Sequence, residues 1–126
     1  MKIHESAENY LETILFLKQK NGYVRSIDIA NMLEFSKPSV SIAMKNLRKN
    51  GYIQMDEHGY ITLEPSGLEI AEKILERHHI LTEWLIALGV NAETAEADAC
   101  RIEHVVSTES FDAIKKHIRE HGNDIK

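Results

Sequence analysis

The chain has 126 residues, of which 43% are hydrophobic and 6% aromatic, with one cysteine and a formal net charge of -5. This length fits one domain or two small lobes that share a core, so we expect no independently folding halves, and the scarcity of aromatics favours packed helices over a β-sandwich. One cysteine excludes an internal disulfide, and the apolar runs fall far below the ~20 residues that cross a bilayer. No signal peptide pattern opens the sequence, so we expect a cytoplasmic protein without a membrane span.

Two helices are predicted at the start of the chain. The first runs from a cap at Ser6 to about Gln19, and Asn21-Gly22 ends it. Ser26 is the predicted N-cap of a second helix of about two turns. A turn at Glu34-Phe35 follows.

A third helix and a hairpin come next. Ser36 begins the helix, Pro38 falls in the first turn, where proline is tolerated, and Gly51 ends it. The segment 52–63 is rich in Ile, Tyr and Thr on both sides of His58-Gly59, which predicts a β-hairpin with its turn at that pair.

Three further helices are predicted in the second half. A capping box from Ser66 to Glu69 opens a long helix that stops at Gly89. Asn91 is the predicted cap of the fifth helix, and Ser107 that of the sixth.

This order of elements is typical of a winged helix-turn-helix. The third helix is also basic, because Ser36 to Met55 contains Lys37, Lys45, Arg48 and Lys49 and no acidic residue. Residues 1–63 carry net +1 and residues 64–126 net -6. We therefore predict a mainly α fold, with a DNA-binding winged helix-turn-helix and two-stranded wing in residues 1–64 and an α-helical domain in residues 65–126.

The fifth helix carries a candidate metal site. Cys100, Glu103 and His104 stand at i, i+3 and i+4, so their donor atoms share one helical face. Sulfur, oxygen and nitrogen together suit a first-row transition ion better than magnesium or calcium. Further donors are available at Asn9 and Glu12 on the first helix, and at His78 or His79 on the fourth.

Other interpretations of the same residues are open. Cys100 can be a small core residue, Glu103 can pair with a cation, and His104 can stabilise a helix C-terminus. The chain can also be a winged-helix regulator with an organic effector or none. A hydrolytic metalloenzyme with Glu103 as base is disfavoured, since no phosphate loop or nucleophile-base pair accompanies it. We expect no enzymatic activity.

Four segments together resemble the metal-dependent repressors of the DtxR/MntR family: AENYLETIL (7–15), SKPSVSIAMKNL (36–47), ERHHILTEWL (76–85) and ACRIEHVVS (99–107). The resemblance implies a homodimeric transcription factor in which Fe(II) or Mn(II) promotes binding to a palindromic operator. This factor is expected to be a repressor that acts in metal homeostasis. It implies dimerisation through the helices after the wing, and metal ligands at Asn9, Glu12, His78, Cys100, Glu103 and His104.

The resemblance spans nearly the whole chain but mixes two branches of the family. The length is that of the shorter manganese branch, which lacks the SH3-like third domain. Cys100 is similar to the iron branch, and Asn9 matches neither branch. Because a thiolate is a soft ligand, we favour Fe(II), with Mn(II) close behind, and expect Zn(II) or Co(II) to bind in vitro.

The predicted DNA contacts divide by chemistry. Lys37, Lys45 and Arg48 are expected to meet phosphates. The start of the third helix is expected to read base edges through Ser36, Pro38, Ser39 and Ser41, with Pro38 against a thymine methyl group, although simple capping explains the serines equally well. Arg25, Ser26 and the wing near His58 are expected to contact the DNA backbone.

Overall fold

A computed structural model of the protein describes residues 5–121. Those residues form α1 (Glu5–Asn21), α2 (Ser26–Leu33), α3 (Lys37–Lys49), β1 (Ile53–Met55), β2 (Ile61–Leu63), α4 (Pro65–Ala87), α5 (Ala92–Val105) and α6 (Thr108–His121). This order confirms the predicted mainly α fold, in which a winged helix-turn-helix precedes a helical region. In residues 5–121, no helix combines the length and the hydropathy that a membrane span requires.

Three of the predicted helix starts are confirmed by their capping bonds. The hydroxyls of Ser36 and Ser107 each accept a hydrogen bond from the backbone N–H three residues later, at 3.2 and 3.0 Å. The Asn91 side-chain oxygen accepts from the N–H of Glu93 at 2.9 Å. Each cap satisfies an N–H that has no partner within its helix, which fixes where α3, α5 and α6 begin.

The predicted cap at Ser26 is wrong by one residue. Ser26 is the first residue of α2, and Arg25 is its N-cap. The Arg25 N–H donates to the Asp28 carboxylate at 2.9 Å, so the acidic residue of the first turn sets the start of this helix.

The caps predicted at Ser6 and Ser66 are also wrong. Ser6 lies inside α1, which is already helical at Glu5. α4 already includes Pro65, and the Ser66 hydroxyl donates to the Gly51 carbonyl at 3.0 Å instead of capping the helix. The local pattern predicts a cap at Ser66, but this hydroxyl binds a carbonyl fifteen residues earlier in the chain.

The chain divides into two units, one up to Lys73 and one from Ile74. In the first unit β1 and β2 pair antiparallel, with Ile53 opposite Leu63, and form the predicted wing. The Gly59 N–H donates to the Asp56 carbonyl at 3.0 Å, and Gly59 takes the φ of +85° that favours glycine in such a turn. This confirms the turn at the His58-Gly59 pair.

The interior of the first unit consists of aliphatic side chains from its three helices and its wing. The fully buried ones are Leu11, Ile14, Val24, Ile29, Val40, Met44, Ile53 and Ile61. The start of α4 belongs to this unit and packs closely within it, because a Cβ added at Gly67 would clash with the Tyr52 carbonyl oxygen. Only glycine allows that approach.

The second unit has a separate apolar core from α4, α5 and α6. Leu81, Ala99 and Phe111 form its buried centre. Partly buried residues that pack against this centre are Ile80, Trp84, Ile102, Val106 and Ile114. The packing holds α5 beside α4, so side chains on their facing surfaces can meet.

Candidate metal centre and nucleic-acid interface

The donor atoms of the α5 triplet lie close together. One ligand atom from each of Cys100, Glu103 and His104 lies within 4.8 Å of the other two. The convergence follows from the helix repeat, since positions i, i+3 and i+4 fall within about one quadrant of the surface.

Glu103 is the centre of this cluster. Its side chain has 0% exposure, which is costly for a carboxylate without polar partners. Its Oε2 lies 3.0 Å from His78 Nδ1, and its Oε1 lies 3.3 Å from His104 Nε2. The two imidazoles therefore approach the two oxygens of one buried carboxylate.

The fourth helix contributes His78 to this cluster, and its neighbour His79 stays outside. His79 is exposed, and its ring lies edge-on to that of His78, with the centroids 5.9 Å apart. The pKa of His78 is raised, first because Glu103 accepts a hydrogen bond from the protonated ring, an effect that outweighs the lowering by burial. A metal ion bound by this ring has to displace that proton.

Arg77 stabilises the cluster by binding the backbone of α5, a role that was not predicted from the sequence. Its guanidinium is buried and donates to the carbonyls of Glu103 at 3.1 Å and Val106 at 2.8 Å, and it lies 5.2 Å from the centre of the Phe111 ring. It thus binds the C-terminal carbonyls of α5, which are a natural site for a cation. The only sequence signal is its position next to His78.

The donor set fits a transition metal. Cys100, Glu103 and His104 bring a thiol, a carboxylate and an imidazole together on α5. His78 on α4 adds an imidazole at the Glu103 carboxylate, and the His104 side chain is only 3% exposed. Sulfur and imidazole nitrogen suit first-row transition ions, whereas magnesium and calcium prefer sites made of oxygen.

The two predicted metal ligands on α1 belong to the first unit. Glu12 is buried at 8% exposure, and Asn9 is partly exposed with its carbonyl accepting from the Thr13 hydroxyl at 2.8 Å. Their role as ligands stays a prediction.

The exposed face of α3 carries every residue predicted to meet DNA on this helix. Val40, Met44 and Leu47 are buried, which turns the intervening positions towards solvent. The exposed residues among the predicted contacts are Ser36, Lys37, Pro38, Ser39, Ser41, Lys45 and Arg48. The cations point away from the core along one surface of the helix.

The serines at the start of α3 are engaged with each other. The Ser36 hydroxyl accepts from the Ser39 N–H and donates to the Ser39 hydroxyl at 2.7 Å. Ser36 therefore has the capping role that the sequence left open, and the base contacts of Ser36 and Ser39 stay predictions. Ser41 is exposed one turn later.

Arg25 contacts the turn of the wing and stabilises it. Its Nη2 donates to the His58 carbonyl at 2.6 Å, and its guanidinium lies 4.9 Å from the centre of the Tyr60 ring. A backbone bridge also pairs Arg25 with Tyr60. Ser26, at the start of α2, is partly buried.

Ile42 is a further candidate contact, and it was not among the residues predicted from the sequence. This large apolar side chain lies on α3 and is 62% exposed. If α3 enters the major groove as predicted, an apolar group at this position is suited to contact the methyl group of thymine. A break in the apolar period, one residue after Ser41, is the signal that could have identified it.

Two family models match the chain. The iron dependent repressor N-terminal DNA binding domain matches residues 2–60, and the iron dependent repressor metal binding and dimerisation domain matches residues 64–125.

The chain is also similar to named regulators. It is 37% identical over 118 residues to the transcriptional regulator MntR of Salmonella typhimurium, which covers 94% of this chain and 75% of that protein. It is 34% identical over 113 residues to an uncharacterized HTH-type transcriptional regulator of Methanocaldococcus jannaschii, which covers 88% of this chain and 90% of that one.

Solved structures share the fold. The T. acidophilum IdeR crystal structure matches with a TM-score of 0.76 and 29% identity, over 97% of this chain and 55% of that one. A manganese-dependent transcriptional repressor in complex with manganese matches with a TM-score of 0.81 and 25% identity, over 90% of this chain and 52% of that one. The chain thus spans about half the length of these solved proteins.

Proposed function

The chain belongs to the DtxR/MntR family of metal-dependent transcriptional regulators, and from this premise we propose that it is a repressor whose operator binding requires Fe(II) or Mn(II). The observation that carries the proposal is the buried Glu103 carboxylate with His78 and His104 at its two oxygens and Cys100 on the same helix face. A cytoplasmic regulator, and not an enzyme, is the role proposed.

His78, Cys100, Glu103 and His104 are the proposed ligands on α4 and α5. The thiolate favours Fe(II) over Mn(II), and Zn(II) or Co(II) should occupy the same donors in vitro. When bound, the ion supplies positive charge to a buried carboxylate and replaces the protons that the free site holds. Asn9 and Glu12 on α1 are proposed as further ligands from the family resemblance.

The face of α3 is the proposed DNA-reading surface. Lys37, Lys45 and Arg48 would pair with phosphates, which sets affinity and salt dependence. Pro38, Ser41 and Ile42 would approach base edges in the major groove, where thymine presents its methyl group. We propose that residues 1–64 carry this activity.

The operator is proposed to be a palindrome bound by a homodimer. A two-fold symmetric protein presents two copies of α3, and half-sites centred about 34 Å apart place both in successive major grooves. Residues 65–126 would form the dimer and supply most of the metal ligands. The coupling between metal and DNA would be about 1–3 kcal/mol, and DNA would tighten metal binding by the same factor.

Operator binding under controlled metal tests the proposal. A palindromic duplex is first selected from a random pool by protein with Mn(II) or Fe(II), without oxygen. Fluorescence anisotropy on that duplex then compares chelator with Fe(II), Mn(II) and Zn(II). We expect chelator to weaken binding about 5–150-fold, the range typical of such coupling, and Cys100→Ala and His104→Ala to weaken it without chelator.

The opposite result is equally clear. Binding that is equal with chelator and metal, in wild type and in both variants, would reject a metal effector and favour an organic effector or none.

A further inference from the structure

Helix α6 repeats the donor spacing of the α5 cluster. His117, Glu120 and His121 stand at i, i+3 and i+4, the same intervals as Cys100, Glu103 and His104, with histidine in place of cysteine. All three residues are exposed. The spacing therefore recurs on a surface helix, where a core role does not explain it.

The two rings are already close. The His117 and His121 ring centroids lie 4.8 Å apart with 41° between the ring planes. Tetrahedral zinc, with Zn–N bonds of ~2.0–2.1 Å, needs its two nitrogens about 3.3 Å apart. Side-chain rotation can bring the nitrogens of such a pair together, because residues four positions apart are neighbours on one helix face.

We propose that His117 and His121 form a second metal site, specific for Zn(II) and similar borderline ions, with water completing the coordination. Two histidines at i, i+4 on one helix face are a recognised zinc-binding arrangement. Imidazole suits zinc, copper and nickel, whereas manganese prefers oxygen ligands. The α6 site should therefore respond to a different set of metals from Mn(II).

The charges around this site permit a cation. His117 and His121 occupy the last turns of α6, where the carbonyl end of the helix favours positive charge. Lys116 lies roughly 100° from His117 around the helix, and Arg119 lies on the opposite side. Lys115 also points away, because its amine binds Glu76 at 3.0 Å.

The α6 site should bind more weakly than the α5 cluster. Glu103 is fully buried with both oxygens close to histidines, whereas Glu120 is exposed to water. An exposed pair has fewer fixed ligands, and its side chains lose rotamer freedom on binding. Zinc should fill it only after the cluster is occupied.

Zinc stoichiometry of the untagged 126-residue chain tests this proposal. Isothermal titration with Zn(II) is compared for wild type, His117→Gln and His121→Gln, with His58→Gln, an exposed histidine of the wing, as the matched control. We expect both α6 variants to lose one weak zinc equivalent per chain and His58→Gln to lose none. Mn(II) titrations should be the same for all four proteins.

A second arm separates this site from the proposed function. In a Cys100→Ala, His104→Ala background the weak zinc event should persist, and Co(II) should selectively broaden the ring proton signals of His117 and His121 in NMR spectra. The proposal is overturned if the α6 variants bind as much zinc as wild type, if His58→Gln loses the same equivalent, or if cobalt leaves those ring signals sharp. None of these results depends on DNA binding.

Discussion

The face of α3 and the cluster between α4 and α5 use polar residues in opposite ways. On α3 the cations Lys37, Lys45 and Arg48 are exposed, and the buried side of the helix is wholly apolar. In the cluster, Glu103 and Arg77 are buried among hydrogen-bonding partners. The exposed residues of α3 can therefore change without disturbing the core, whereas in the cluster the predicted metal ligands are themselves part of the buried interior.

The strongest test of this contrast is Glu103→Ala. Removing the carboxylate between His78 and His104 should weaken Mn(II) and Fe(II) binding by at least the ~100-fold that changes around a metal site reach. Titration calorimetry without oxygen measures the loss. Glu72→Ala, an exposed glutamate on α4, is the control and should bind metal as wild type does. Unchanged affinity in Glu103→Ala would remove this residue from the site.

Arg77→Lys tests whether the cluster depends on its support. A lysine cannot reach both the Glu103 and Val106 carbonyls with one planar group, so the free energy of unfolding should fall by about 1.5–3 kcal/mol. Urea denaturation monitored by circular dichroism measures the change. Arg101→Lys, at an exposed position on α5, should have no effect. Equal stability of the two variants would contradict the role given to Arg77.

Ile42→Ala should change DNA reading and leave folding intact. The side chain is 62% exposed, so its loss should cost little stability, while contact with a thymine methyl would be worth about 1 kcal/mol. Anisotropy with single base-pair substitutions in the selected operator locates the effect. Preference should relax at one thymine in each half-site. A uniform loss across all operators would instead place Ile42 away from the bases.

Lys45→Ala should have the smallest effect and the same effect on every DNA sequence. One lost phosphate contact reduces the slope of log K against log salt by about 0.9. Binding measured from low to moderate salt gives the slope, and Lys20→Ala, an exposed cation at the end of α1, is the control. A changed base preference in Lys45→Ala would mean that this lysine reads a base.

Much of the local structure could be predicted because its causes are local. Ser36, Asn91 and Ser107 cap their helices through bonds to residues two or three positions later, which a sequence pattern contains. The convergence of Cys100, Glu103 and His104 is equally local, since the helix repeat alone places them on one face.

Two of the helix caps that were predicted wrongly depend on which of several possible hydrogen-bond partners a residue finds in the folded chain. Ser66 was assigned to a cap, but its hydroxyl bonds Gly51, fifteen residues earlier. Arg25 and not Ser26 is the N-cap of α2, where the Arg25 N–H donates to the Asp28 carboxylate. The hydrophobic periodicity of the sequence does not indicate either of these hydrogen bonds.

The sequence by itself determined the helices, the wing and the donor triplet on α5, because each depends on neighbours within about one turn or one hairpin. Tertiary structure decided that the His78 ring meets the Glu103 carboxylate, that Arg77 binds the carbonyl end of α5, and how far Ile42 is exposed. Those outcomes depend on how α4 packs against α5 and on which face of α3 the core covers. The pairings join residues 25 to 29 positions apart, so only the folded chain selects them.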